Sequence, residues 1–310
     1  GVSGLTTGIV LQEAGYNVEI ITRDTTEQTT SAVAAGTWLP GKVEESQRVL
    51  EWARVTYNVC KQLAQEPESG VQWTYWIQVW DKMDHDHMPV LDYVDHWEKL
   101  DRATVEAYGA HDGVAISVPI MPPPVYLPHL GARFRDAGGT LHADTVERIA
   151  SLAESYEGIV NCTGVYAGSL TDDTKIHPGR GQVVLVDDPG LGQSFSFIGH
   201  SVYYHARGFD CVLGGTLERN VWDLAPDDTT TQNIVDKCSR LEPHLTSARI
   251  NDVRVGLRPM RETVRLEAEM IGTTPLIHNY GHGGAGYTLS WGCAREVHGL
   301  LASNLGRQAE

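Results

Sequence analysis

Four glycines stand within six positions at Gly281, Gly283, Gly284 and Gly286, and an apolar helical pattern follows at once. Glycine has no Cβ and tolerates φ > 0, so a backbone this open can approach a ligand closely. The helix it feeds leaves its first amides unpaired and carries partial positive charge at that end. Negative charge that develops in a reaction is stabilised at such a place. A glycine-rich turn ahead of a packed C-terminal helix accounts for the same residues. Arg258 is the second feature, set between Leu257 and Pro259. A guanidinium projecting from an ordered apolar backbone is suited to bidentate recognition of a carboxylate, with a structural salt bridge as the alternative. In Thr29-Thr30-Ser31-Ala32-Val33-Ala34-Ala35-Gly36-Thr37-Trp38, hydroxyls precede very small side chains. That order suits a backbone pressed against phosphates or a ring, or a loop that caps a helix. Asp84-His85-Asp86-His87 has the residue types of a metal site. Close ligands in a polar run without a distant partner cluster read instead as a solvated loop, and no metal is expected.

The elements that must position these groups follow from pattern. The chain opens Gly1-Val2-Ser3-Gly4, reads as a helix to about Ala14 closed by Gly15, and continues as a strand over 17–22 that ends at Arg23-Asp24. This is the form of a dinucleotide-binding βαβ unit entered part-way, with Gly1 and Gly4 as the last two glycines of GxGxxG. Asp24 falls about where a carboxylate reaches a ribose hydroxyl, and a first strand with the first glycine would lie upstream of residue 1. Residues 44–65 are expected to form an amphipathic helix beginning at Glu44. Aromatic and polar residues alternate over 73–77 as in a half-buried strand. Met121-Pro122-Pro123-Pro124 reads as a rigid turn before a helix over about 125–137, and Gly138-Gly139 leads to a short strand at 140–142. The apolar run 158–164 ends in small residues, which suits the carboxyl edge of a parallel sheet. Two further strands are expected, one beginning near Val183 and the other running from Ser201 through His205 and on beyond Gly208 into 211–215, with a capped helix over about 229–241.

At 310 residues, 41% hydrophobic and 21% charged, the composition is that of a globular protein with room for two intertwined domains. Forty acidic residues against 24 basic ones give a formal charge of −16, which disfavours nucleic acid and anionic membranes as partners. No apolar run approaches the length of a membrane span. Five cysteines without CxxC spacing fit a reducing, cytoplasmic compartment better than a disulfide framework. No secretory signal is seen, and Arg307-Gln308-Ala309-Glu310 is not a peroxisomal tripeptide.

Several stretches together resemble the D-amino-acid oxidase family, which includes D-aspartate oxidase. They are the 29–38 segment, Ile159-Val160-Asn161-Cys162-Thr163-Gly164, Pro178-Gly179-Arg180-Gly181-Gln182, Val255-Gly256-Leu257-Arg258-Pro259-Met260-Arg261 with Arg265-Leu266-Glu267, and the 278–294 stretch. The resemblance spans essentially the whole chain. It implies an α/β fold, a Rossmann-like FAD-binding domain (1–65, 138–180 and 256–310) interleaved with a smaller α+β substrate domain (66–137 and 181–255) on an antiparallel or mixed sheet. It implies that Arg258 and Tyr203 hold a substrate α-carboxylate and that the Gly284 carbonyl accepts from the amine; Leu39, Tyr204 and His205 are expected to line the pocket, with Arg207 and Arg219 nearby in sequence. For FAD it implies Gly1, Gly4, Arg23, Asp24, Thr29, Thr30, Ser31, Ala35, Gly36, Thr37, Val146, Thr163, Gly283, Gly284, Gly286, Tyr287 and Thr288. The implied reaction needs no side-chain acid, base or metal: hydride passes from the α-carbon to flavin N5, O2 is reduced to hydrogen peroxide, and the imino acid hydrolyses to a 2-oxo acid and ammonia. The amides around 286–288 would stabilise the negative charge of the reduced ring. A D-amino acid and O2 are the expected partners, and a homodimer is expected.

Two departures from the family stand out. Only a short loop fits between Gln182 and Tyr203, with Gly199 and His200 in the neighbourhood where mammalian members carry a longer lid and a second tyrosine. Arg23 takes the place of the acid expected at the end of the second strand, and Asp24 follows one residue later. A glycine- or sarcosine-type oxidase is an alternative within flavoenzymes, disfavoured by Arg-Pro-x-Arg and His-Asn-Tyr-Gly-His-Gly-Gly. A fragment unable to bind FAD is the alternative of another class. For the substrate side chain, Leu39 suggests an apolar floor and neutral substrates, whereas an inward arginine would favour D-aspartate or D-glutamate.

Overall fold

A computed structural model describes residues 1–41, 43–82 and 88–307. In chain order its helices are α1 (Val2–Glu13), α2 (Thr30–Val33), α3 (Gln47–Leu63), α4 (Arg102–Ala107), α5 (Pro123–Asp136), α6 (Ala167–Thr171), α7 (Asp228–Leu241) and α8 (Gly286–Asn304). The strands are β1 (Glu19–Thr22), β2 (Gln72–Trp80), β3 (Trp97–Lys99), β4 (Asp112–Ile120), β5 (Thr140–Ala143), β6 (Ile159–Asn161) and β7 (His177–Val186). They continue with β8 (Gln193–Ile198), β9 (Val202–Ala206), β10 (Cys211–Gly214), β11 (Glu218–Arg219), β12 (Ile250–Met260), β13 (Arg265–Ile271) and β14 (Thr274–Tyr280).

The strands form three sheets among the described residues. β1 pairs in parallel with β5. β6 pairs in parallel with β14, which is antiparallel to β13. The third sheet is mixed and nine-stranded, in the order β11-β7-β10-β9-β8-β2-β4-β3, with β12 antiparallel to β7. Its one parallel contact is β2 with β8.

Packing explains the helices. α1 is buried on most sides because it lies between α8, α5 and β1. At Gly8 a Cβ would press on Phe134 and Ile20, so glycine sets how closely α1 packs there. α3 presents Val49, Trp52, Ala53, Tyr57 and Cys60 to the large core that it shares with α8 and β4. α7 presents Ile234 and Cys238 to a second core on one face of the nine-stranded sheet, with Phe195, Tyr204 and Leu213. The other face carries Tyr203 and His205.

Three boundaries differ from those expected. The helix placed at 44–65 begins at Gln47, because Ser46 caps it by accepting from Val49 N–H at 3.3 Å. Glu44 is engaged elsewhere, accepting from Val264 N–H at 2.9 Å. Pro123 and Pro124 belong to the first turn of α5, where no amide donor is required. The strand expected near Val183 starts at His177, so Pro178-Gly179-Arg180-Gly181-Gln182 is strand backbone in a continuous ladder with β12. Asp84-His85-Asp86-His87 and residues 308–310 lie outside the described residues.

Candidate active site

The glycine stretch turns between β14 and α8. Gly281 and Gly283 adopt φ of 85° and 55°, in the left-handed region. Gly283 N–H donates to Pro259 O at 3.0 Å, which fastens the turn to β12 one residue past Arg258. No side chain caps α8, and its first turn closes only with Leu289 N–H on Ala285 O at 3.0 Å. The amides of Gly286, Tyr287 and Thr288 are thus left at a positive helix end.

Arg258 is half-buried, with Nη1 donating to Thr216 O at 2.9 Å. Gly181, in register across the β7–β12 ladder with Gly256, lies under that guanidinium, and any Cβ there would overlap it. Tyr203 stands beside Arg258. Burial raises its phenol pKa and the Arg258 charge opposes that rise. A Cβ at Gly214 would overlap the Tyr203 ring, so two glycines clear the space these two side chains occupy. His205, two residues along β9, packs its ring 5.1 Å from that of Tyr203 and 4.8 Å from that of Trp76. It is buried, and burial, helped by the Arg207 charge, brings its pKa down to about 3, so it is neutral. Tyr204 does not join this group. It points to the opposite face and stacks on Phe195 at 5.6 Å, because neighbouring strand residues alternate in direction. Arg207 is paired with Asp210 inside the protein, and Arg219 is exposed on edge strand β11.

The 29–39 segment lies across these elements. Thr30 Oγ1 donates to Leu257 O at 3.1 Å, and Val33 fits against Gly256. Ser31 ties both helix starts: its Oγ accepts from Val2 N–H at 3.0 Å and its carbonyl from Tyr287 Oη at 2.9 Å. Ala35 packs with Val183, Leu185, Val212 and Tyr203. Gly36 has φ of 85°, and a Cβ there would overlap the Met121 carbonyl. Thr288 Oγ1 accepts from Leu39 N–H at 3.0 Å and donates to Leu39 O at 2.9 Å. Thr37 Oγ1 is buried without a partner.

Gly1, Gly4, Thr29 and Ser31 gather at the start of α1, and an ideal Cβ on Gly286 would lie 3.9 Å from Val2, so the starts of α1 and α8 are neighbours. Thr163 follows β6, bonding Asn161 Oδ1 through N–H at 3.1 Å and Oγ1 at 2.7 Å. Arg23 and Asp24 follow β1, paired to each other at 2.8 and 2.6 Å, with the guanidinium 4.1 Å over the Tyr166 ring. Hydrogen bonding from Arg23 lowers the Asp24 pKa. Val146, beyond β5, is half-buried, and no specific contact distinguishes it. These three positions lie near carboxyl ends of parallel strands, apart from the Arg258–Tyr203 pair. Gly181, Gly214, Trp76 and Gln78 are not among the site residues assigned from sequence. A glycine inside a strand, as at Gly181, is the one signal that could have marked a close approach.

The family model described as FAD dependent oxidoreductase matches residues 1–300. This chain belongs to that family. A D-amino-acid oxidase of Rubrobacter xylanophilus is 39% identical to it over 310 residues, covering 98% of this chain and 94% of the relative. One from Streptomyces coelicolor is 37% identical, covering 97% and 94%. In fold the chain is similar to glycine oxidase from Geobacillus kaustophilus, with a TM-score of 0.82 at 17% identity over 100% of this chain and 93% of that one.

The residues of this FAD-dependent oxidoreductase fit its cofactor. Two helix starts whose own N-cap residues supply no capping side chain stand side by side, as a pyrophosphate and an electron-rich ring edge require. The segment between them meets its neighbours through glycine, and it keeps a buried hydroxyl, on Thr37, free for a ligand. No helix among the described residues is long and apolar enough to cross a membrane, and no group of three or more metal-binding side chains occurs among them.

Proposed function

We propose that the protein oxidises D-amino acids to 2-oxo acids with release of ammonia and hydrogen peroxide. One observation carries the reading: the Arg258 guanidinium, anchored on Thr216, stands beside Tyr203 and next to the glycine turn that starts α8. Arg258 and Tyr203 bind the α-carboxylate, a planar fork with a hydroxyl at its side. The Gly284 carbonyl accepts from the amine, and Leu39 and His205 flank the side chain. FAD, held by the residues assigned below, would supply the two-electron acceptor for the α-carbon's hydride and would return those electrons to O2. The chain's part is to hold the α-carbon in place, and no side chain serves as acid or base. The helix-start amides of Gly286, Tyr287 and Thr288 favour negative charge at the site. Cofactor contacts are assigned to Gly1, Gly4, Arg23, Asp24, 29–31, 35–37, Val146, Thr163, Gly283, Gly284 and the α8 start. The names of the two relatives support the substrate class.

The same proposal divides the chain into a cofactor part (1–65, 138–180 and 256–310) and a substrate part (66–137 and 181–255). The paired strands β7 and β12 run through both boundaries, so one ladder joins the parts. A cytoplasmic location, supported by five free cysteines, and a homodimer complete it. Fractionation and light scattering test these two points. For the activity, the chain is purified with FAD and peroxide release is followed with each enantiomer of alanine. Peroxide from the D form only is expected. Turnover of the L form, or no peroxide from any D-amino acid while the flavin is bound, would overturn the reading.

A further inference from the structure

Two polar side chains around the substrate face are buried without hydrogen-bond partners: Nδ1 of His205 and both amide atoms of Gln78. Gln78 is 0% and His205 4% exposed, so bulk water does not satisfy them. Buried polar groups are ordinarily paired, and orphans near a binding site point to a missing ligand. Register places them together. Gln78, Ser196 and Tyr203 form one row across β2, β8 and β9, and Trp76, Ser194 and His205 form the next. Residues directly opposite in a ladder share a face. Ser196 is engaged, its Oγ accepting from Trp76 Nε1 at 3.0 Å, which leaves Gln78 and His205 as the unpaired groups of the two rows.

The charges nearby are taken. Arg207 is paired with Asp210, Arg180 with Glu218 at 2.5 Å, and Arg258 is anchored on Thr216 beside Tyr203. His205 stays neutral, its pKa brought down to about 3 by burial. With Arg258 given to the α-carboxylate, a side-chain carboxylate would find no further unpaired cation among these, whereas an aliphatic side chain would leave both groups unpaired.

We propose that His205 and Gln78 line the side-chain pocket and select D-amino acids whose side chain is uncharged and carries a hydroxyl or carboxamide. This rests on the D-amino-acid reading above. The test is kcat/KM for two matched pairs, D-threonine against D-valine and D-asparagine against D-aspartate. A site built to hydrogen-bond a substrate group rejects the analogue that lacks it, so the first member of each pair should lead by at least about tenfold. In His205→Leu and in Gln78→Leu the D-threonine lead over D-valine should shrink severalfold, with flavin absorbance and melting temperature showing that the variants are folded. Should a variant fail to fold, the wild-type ratios decide alone. D-valine equal to or better than D-threonine, D-aspartate equal to or better than D-asparagine, or folded variants with unchanged ratios would overturn the proposal. Those results leave D-amino-acid oxidation standing, whereas oxidation of no D-amino acid would remove the underlying reading and the pocket assignment with it.

Discussion

Arg258 is held by a single backbone carbonyl and by the absence of a side chain at Gly181. Its remaining donors are therefore available to a carboxylate. Arg258→Ala should weaken D-amino-acid binding by about 2–5 kcal/mol, the usual cost of removing one partner of a charged, partly buried pair. FAD affinity should hardly change, and steady-state KM beside a flavin titration separates the two. Gly181→Ala makes a finer test of position. Its Cβ would overlap the guanidinium, so the arginine must move while its charge stays. KM for D-amino acids should rise in Gly181→Ala with little change in melting temperature, and an unchanged KM would mean that Arg258 tolerates displacement and is not a geometric clamp.

Among the elements, α8 does more than present its amides. Thr288 in its first turn holds both backbone groups of Leu39, and Tyr287 holds Ser31 O. The 29–39 segment is thereby tied to the same helix end that faces the cofactor site. Thr288→Val keeps shape and removes two hydrogen bonds to a partly buried backbone. About 1–3 kcal/mol of stability should be lost. FAD release should also quicken, because the segment carrying Gly36 and Thr37 loosens. Denaturant unfolding and the flavin dissociation rate measure the two effects. A second tie is the buried carboxylate of Asp173. It pairs with Arg261 at 3.0 Å and accepts from Tyr280 Oη at 2.9 Å, while Arg265 Nη1 bonds the same hydroxyl at 2.7 Å. The later arginines of the Arg-Pro-x-Arg string therefore brace the β13–β14 hairpin against the loop after α6, and Arg258 alone turns to the substrate side.

For the whole molecule, buried histidines set the response to acid. Burial brings the His205 pKa down to about 3, with Arg207 adding to the effect, and that of His282 down to about 4. Burial lowers the His278 pKa as well. Each is neutral in the folded chain and has an ordinary pKa near 6.5 once unfolded. Between about pH 6.5 and pH 4 the unfolded chain binds more protons, so stability rises with pH through that window and is flat above it. Each histidine contributes a slope of up to about 1.4 kcal/mol per pH unit. His282→Gln should make the decline between pH 6.5 and pH 4.5 shallower without altering its onset. Urea midpoints at several pH values test this, and equal slopes in the two proteins would assign acid sensitivity to other groups.

Order along the chain was enough to mark the segments proposed for the cofactor. Glycine spacing, the short-residue segment at 29–38 and the run 158–164 are local patterns, because a glycine's freedom and a helix start's charge belong to the residues themselves. Arg258 could be marked as a carboxylate ligand or as a salt-bridge partner, and only the structure shows Gly181 and Tyr203 around it. The direction of side chains on β9 was not legible. Tyr204 and His205 are adjacent and both aromatic, and only the pairing of β9 with β8 and β10 sends one to the α7 core and the other to the site. Likewise Gln78 reads as one polar residue in an aromatic strand. Its isolation from every partner is a property of register across three strands, which local spacing does not encode.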